Sequence, residues 1–384
     1  MDFVKSLVGA PDAQTRKEVD PQFFLADGTI GPDHLVHATG IKLLGVGNPL
    51  LDISAKVPES MLAKYGVKSG DIILAEEQHA GIYDELVKDY AVEYIAGGAT
   101  QNTMRVAAWM LTADKITGAC AYTGCVGADS NAAKLKECAE AGGVTVFYQV
   151  DAETPTGVCA VLVDPSAERA LVTRLDAANN FKKAHLETPE VQKFLVAAEI
   201  VYSAGFFLTS GGVECTSLLG EHCADYGKRF CLNISAPFIA MFFAEQLMAT
   251  LPYTDILFAN EMEAAALGEA QGWGTDVAVV ALKVAALPKR SGLRPRTVVF
   301  TQGAESTIVV VGGVVTKYAV PALAKELIVD TNGAGDAFVG GFLAKLVQGN
   351  EMDACVKAGH FAARAVIQRS GATVPDTCNY GSIF

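Results

Sequence analysis

Much is missing from this chain of 384 residues, beginning with any apolar run long enough to cross a bilayer. Met1-Asp2-Phe3-Val4-Lys5 opens without the apolar core of a signal peptide, and Asp12, Glu18 and Asp20 argue against a transit peptide. The nine cysteines include no Cys-x-x-Cys pair and no histidine at zinc-ligand spacing, so a reducing cytosol is the expected compartment. Basic residues number 30 against 43 acidic ones, and the net charge of −13 speaks against nucleic acid as a partner. No Gly-x-x-x-x-Gly-Lys-Ser/Thr segment occurs, which excludes a P-loop NTPase. The nearest dinucleotide-type turn, Gly45-Val46-Gly47-Asn48-Pro49-Leu50, lacks a third glycine and runs into Leu51-Asp52-Ile53 rather than a helix.

What is present describes a globular protein: 51% apolar residues, 19% charged residues and 37 glycines. Residues 1–40 are polar and irregular and read as an N-terminal extension. From Ile41 onward short β-rich runs alternate with helical ones. Strands are expected near 199–203, 230–234, 256–259, 297–301 and 308–311, and helices near 102–111, 132–141, 261–267, 278–286 and 353–368. Such alternation implies a mainly parallel sheet covered on both faces. Two segments break the rhythm: 53–57 stays extended, and 157–163 with 169–175 reads as a hairpin around Asp164-Pro165-Ser166. These are expected to form a small sheet acting as a lid over the carboxyl ends of the parallel strands. The expected division is a large domain of residues 41–50, 99–148 and 179–384 and a lid of residues 51–98 and 149–178.

The chemistry concentrates in Asp330-Thr331-Asn332-Gly333-Ala334-Gly335-Asp336-Ala337-Phe338. Leu327-Ile328-Val329 before it reads as a short buried strand, and Phe338, Phe342, Leu343 and Leu346 after it recur at helical spacing. The loop therefore opens a helix, where the backbone N–H groups of Gly333, Ala334 and Gly335 can converge on an anion. Asp336 is then placed to take a proton from a hydroxyl attacking a phosphoryl group, or simply to cap the helix. Asn48 and Asp52 could hydrogen-bond vicinal hydroxyls, or belong to a polar turn. Gly97-Gly98-Ala99-Thr100-Gln101-Asn102 offers bare backbone and an amide to a polyhydroxy ligand, or an ordinary strand-to-helix turn. Asn260 and Glu263 have capping-box spacing and could also organise hydrated magnesium beside nucleotide phosphates. Arg169 could swing from the hairpin onto phosphates, or stay a solvated strand residue. His360 could flank a nucleobase or sit on a helix surface, and Phe206, Phe207 and Phe238 follow strand ends, where open α/β sheets bind ligands.

The Asp-Thr-Asn-Gly-Ala-Gly-Asp-Ala-Phe loop and Asn260-x-x-Glu263 resemble two signatures of the ribokinase (PfkB) carbohydrate kinase family. Gly47-Asn48-Pro49-Leu50-Leu51-Asp52-Ile53, Ala204-Gly205-Phe206-Phe207 and Ser235-Ala236-Pro237-Phe238 are similar to its nucleoside-phosphorylating branch, and the likeness runs from about residue 41 to the end. The resemblance implies a three-layer α/β/α sandwich with a small β-sheet lid; a fold of that size could bury its own core, so a monomer is one open alternative. The resemblance also implies transfer of the γ-phosphate of ATP, with Mg2+, to the 5′-hydroxyl of adenosine. Carried over, Asp336 is the base, the amides of Gly333, Ala334 and Gly335 form the anion hole, and Arg169 reaches the phosphates. Asp52, Gly98 and Asn102 meet the ribose with Asn48 beside them, while Leu50, Leu171, Phe206 and Phe238 enclose the base. Thr301, Gly303, Asn332 and His360 follow the ATP site, with Asn233, Asn260 and Glu263 near phosphate and metal, Glu263 acting through water. The rivals are a sugar kinase of the same fold, whose ligand would leave the aromatic cleft unfilled, and a non-catalytic nucleoside-binding protein, which would not require Asp336.

Overall fold

The computed structural model describes residues 40–380, leaving out Ala167 and Gly211. The N-terminal extension up to residue 39 lies outside the described residues. In chain order the strands are β1 (Leu43–Val46), β2 (Leu50–Lys56), β3 (Ile72–Leu74), β4 (Glu93–Gly97), β5 (Cys120–Thr123), β6 (Cys125–Gly127), β7 (Val144–Val146), β8 (Gln149–Asp151), β9 (Val158–Val163), β10 (Arg169–Arg174), β11 (Ile200–Ala204), β12 (Arg229–Asn233), β13 (Ile256–Asn260), β14 (Thr297–Gln302), β15 (Glu305–Val311) and β16 (Val314–Tyr318). The main sheet has the order β16-β15-β14-β13-β12-β11-β1-β5-β7. Strands β7 to β14 along that order run parallel, and β15 and β16 close one edge as an antiparallel hairpin. Leu43, Leu44, Val46, Ile200, Val201, Leu232 and Val299 are buried, the two-sided burial that helices on both faces produce.

A second sheet of order β3-β10-β9-β2-β4 stands apart from the first, and β6 with β8 forms a two-stranded ribbon. Within the second sheet β9 and β10 are the expected antiparallel hairpin. Alternation along β2 buries Leu51 and Ile53 on one face and leaves Leu50 and Asp52 on the other. Along β10, Ala170 and Val172 are buried with the first set, while Arg169, Leu171 and Thr173 share the other face. Register brings Asp52, Cys159 and Thr173 level across three strands of that face.

Four helices position the site: α1 (Ala99–Thr112), α2 (Glu261–Ala270), α3 (Ala334–Leu346) and α4 (Met352–Ile367). α3 packs between α1 and α4, burying Phe338, Phe342, Leu343 and Leu346, the stripe expected from sequence. Leu327-Ile328-Val329 corrects the sequence reading: it is not a buried strand. Lys325–Leu327 is a 3-10 turn, and the three apolar side chains are 40–51% exposed. The backbone is spent elsewhere, because the N–H groups of Val329 and Asp330 both donate to the carbonyl of Ile367 at the end of α4.

Candidate active site

The loops that follow β1, β11, β12 and β13 all leave from the carboxyl ends of parallel strands, where an open α/β sheet gathers its ligand groups. Asp336 sits in the first turn of α3, behind an N-cap, Gly333, with φ of 77°. A side chain at Gly333 would be strained by that φ and would also press on Ala372, with its Cβ at 2.9 Å. A Cβ at Gly335 would meet nothing within 4 Å, so the space on that side of the residue is open. The Ala334 N–H donates to the Thr331 carbonyl at 3.2 Å. Gly335 and Asp336 follow in the first turn, where helix amides have no intrahelical carbonyl to bond and are left for an anion.

The Asn102 amide Nδ2 donates to Asp336 Oδ2 at 3.2 Å, joining α1 to α3, while Asn102 Oδ1 is buried with no hydrogen-bond partner. Burial pushes the Asp336 carboxyl up to about 7, with repulsion from Glu263 and Asp52 adding to it and the Asn102 amide opposing it. Asp52 is likewise raised to about 7 by burial, against the pull of Arg105 and Arg169. Its carboxylate lies against the backbone of the β4–α1 turn: a Cβ at Gly97 would come 2.1 Å from Asp52 Oδ1, and one at Gly98, where φ is 87°, 2.2 Å from the Asn48 carbonyl. Arg105 Nη1 donates to the carbonyls of Ala96 and Ala372, fastening the same turn to the C-terminal segment.

Asn48 is occupied by its neighbours. Its Nδ2 donates to the Phe206 carbonyl at 3.2 Å, and its Oδ1 accepts from the Ser210 hydroxyl. Phe206 and Phe238 face each other with ring centroids 6.0 Å apart, whereas Phe207 is buried against Phe181. Leu50 and Leu171 are half-buried on the Asp52 face of the second sheet. Arg169 is not a solvated strand residue: it is 9% exposed, its Nε lies 3.0 Å from Asp330 Oδ2, and its Nη2 donates to the Ser370 hydroxyl. Asp330 in turn accepts from the N–H groups of Asn332 and Gly371.

On the other flank Asn260 and Glu263 form a reciprocal capping box at the start of α2, with bonds of 2.8 and 3.0 Å. Glu263 is buried, which raises its carboxyl to about 7. Asn233 Oδ1 accepts from the Ser235 N–H, and Thr301 reaches only the Ala259 carbonyl at 3.4 Å. Gly303 turns the β14–β15 hairpin with φ of 55°. His360 is buried rather than at a helix surface, with Nε2 2.8 Å from the Thr307 hydroxyl and its ring against Phe338. Burial lowers its pKa to about 4, so the ring is neutral. It borders a cavity of about 640 Å³ with Trp109, Pro321, Phe361 and Arg364. Asp52, Asn102, Arg169 and Asp336 thus converge, while His360 packs on Phe338 of α3 and Thr301 and Gly303 belong to β14 and the turn after it. Sequence reasoning gave no role to Arg105 or Ser370, which carry no local signal, and named Gly97 and Ser235 only as members of their motifs.

A half-buried carboxylate at a glycine-opened helix N-terminus, beneath a separate small sheet, is the arrangement of an α/β kinase. The chain belongs to the pfkB family of carbohydrate kinases, whose model matches residues 59–378. It is 49% identical to an adenosine kinase of Dictyostelium discoideum, over 88% of this chain and 97% of that protein. It is also 49% identical to adenosine kinase 1 of Arabidopsis thaliana, over 87% of this chain and 96% of that protein. Among solved structures it is similar to Anopheles gambiae adenosine kinase in complex with P1,P4-di(adenosine-5) tetraphosphate, with a TM-score of 0.79, 44% identity and coverage of 88% of this chain and 99% of that one. Schistosoma mansoni adenosine kinase in complex with 2-fluoroadenosine gives a TM-score of 0.80 at 36% identity, covering 88% and 98%.

Proposed function

We infer that this chain transfers the γ-phosphate of ATP to the 5′-hydroxyl of adenosine, giving AMP and ADP. The observation that carries this reading is that adenosine kinases match it at 49% identity along 96% to 97% of their own length, so the whole catalytic unit is shared. The site chemistry supports it. With a carboxyl near 7, Asp336 is a base matched to a hydroxyl at neutral pH, and accepts its proton as the oxygen attacks in line. The first-turn amides of α3 receive the charge that develops on the transferring phosphoryl oxygens. Asp52, with Gly98 and Asn102, meets the ribose hydroxyls; the unpartnered Asn102 Oδ1 suits a hydroxyl donor. Leu50, Leu171, Phe206 and Phe238 enclose the base, and Asn48 holds the Phe206 loop in place rather than offering its amide.

The small sheet, bearing Arg169, serves as the lid that excludes water. The ATP base lies along the cavity beside His360, with Asn332, Thr301 and Gly303 on its path and Asn233 and Asn260 toward the phosphates. Mg2+ fits a modest role here: no group of three or more side-chain ligands occurs among the described residues, so phosphate oxygens and water would supply most of its coordination, with Glu263 contributing through water. When bound it would offset phosphate charge. Nine free thiols suit a reducing compartment such as the cytosol, and no described helix is long and apolar enough to cross a membrane.

The test is ADP release with Mg-ATP and, in turn, adenosine, guanosine, inosine, ribose and fructose. Adenosine-dependent turnover that disappears in Asp336→Asn is the expected result. Turnover with a free sugar alone moves the chain to the sugar-kinase branch, and tight adenosine binding without turnover makes it a binding protein.

A further inference from the structure

Ser235 is one of three non-glycine residues with positive φ among the described residues, at 72°, a conformation costly for any side chain with a Cβ. It stands in the loop after β12, and its bonds reach the loops on either side. Its Oγ accepts from the N–H of Gly205, the residue after β11, at 2.9 Å. Its own N–H donates to Asn233 Oδ1 at 3.1 Å, and its backbone also hydrogen-bonds the Glu263 carboxylate after β13. The approach is close enough that a Cβ at Gly205 would stand 2.2 Å from the Ile234 carbonyl. Gly205 directly precedes Phe206, and Ala236-Pro237 lead from Ser235 to Phe238, the ring that faces Phe206 at 6.0 Å.

We propose that Ser235 is a positioning residue for nucleoside selection, holding the Phe206 and Phe238 loops at the spacing at which their paired rings make one wall for a purine. This rests on the adenosine reading above and names the element that sets its specificity. A single hydroxyl spans the two loops, and the left-handed backbone is what turns it toward Gly205. Ser235 touches no reacting atom, so its loss is read in affinity rather than in the chemical step.

The experiment compares the parent chain with Ser235→Ala and Ser235→Gly in steady-state kinetics and thermal melting. Glycine relieves the strained φ, so Ser235→Gly should melt no lower than the parent and keeps the test alive if the alanine variant fails to fold. Both lack the hydroxyl. Each should raise KM for adenosine roughly five- to tenfold while kcat and KM for ATP change less than about twofold. A Ser235→Gly enzyme with parental KM for adenosine overturns the inference, as does a loss that falls on kcat or on ATP. A parent silent toward adenosine overturns the functional reading as well, whereas an active parent with indifferent variants overturns this inference alone.

Discussion

Asp336, Asp52 and Glu263 each carry a carboxyl raised to about 7, and burial is the leading cause for all three. Two consequences run in opposite directions with pH. As the proposed base, Asp336 would have to be ionised, so kcat/KM for adenosine should fall as pH drops below about 7; the apparent midpoint belongs to the coupled group, and a flat profile between pH 5 and 8 would contradict the base role. Stability behaves otherwise. A carboxyl whose folded pKa lies above its unfolded value stabilises the protonated fold, fully below the unfolded pKa, and that contribution is lost as pH rises through about 7. The ligand-free protein should therefore melt higher at pH 6 than at pH 8. Asp336→Asn should narrow this gap and melt higher than the parent at pH 8, while cutting kcat by roughly two orders of magnitude or more and leaving adenosine affinity nearly intact by calorimetry.

At the scale of elements, the turn into α3 separates two glycines by role. Gly333→Ala must strain a positive φ and displace Ala372, and should cost about 1–2 kcal/mol in denaturant unfolding. Gly335→Ala has open space around its Cβ and should unfold like the parent, yet its methyl enters the volume a phosphoryl group would occupy, so turnover should fall. Both glycines were legible in sequence as one motif; their division of labour was not, because it depends on Ala372, 39 residues further along the chain. Periodicity located α1 to α4 and the β9–β10 hairpin because each element's pattern is local. It failed at Leu327-Ile328-Val329, whose apolar run lacks a ladder partner and whose backbone caps α4 instead. Arg169 and His360 looked like surface residues for a similar reason: Asp330 and Thr307, which bury and satisfy them, are remote in sequence.

For the whole molecule, Arg169, Asp330 and Ser370 tie the small sheet to the segments before α3 and after α4. Arg169 is 9% exposed and Asp330 8%, so removing one partner strands a charge in the interior. Asp330→Ala should destabilise the protein by roughly 3 kcal/mol in chemical unfolding, and Asp330→Asn, which keeps hydrogen-bonding capacity, by less. Equal and negligible effects from both would mean that the pair is solvated in solution. The same tie should slow hydrogen exchange at the Gly371 amide, which donates to Asp330, and Asp330→Ala should release it.

Arg169 and Ser370 are drawn together across 201 positions of sequence, and Arg105 meets Ala372 across 267. Asp52, Asn102 and Asp336 all precede Ser370, Gly371 and Ala372 in the chain, so they leave the ribosome before the segment that fastens Arg105, Arg169 and Asp330. A chain cut before Ser370 would carry all three of those side chains and lack the contacts that hold their turns together.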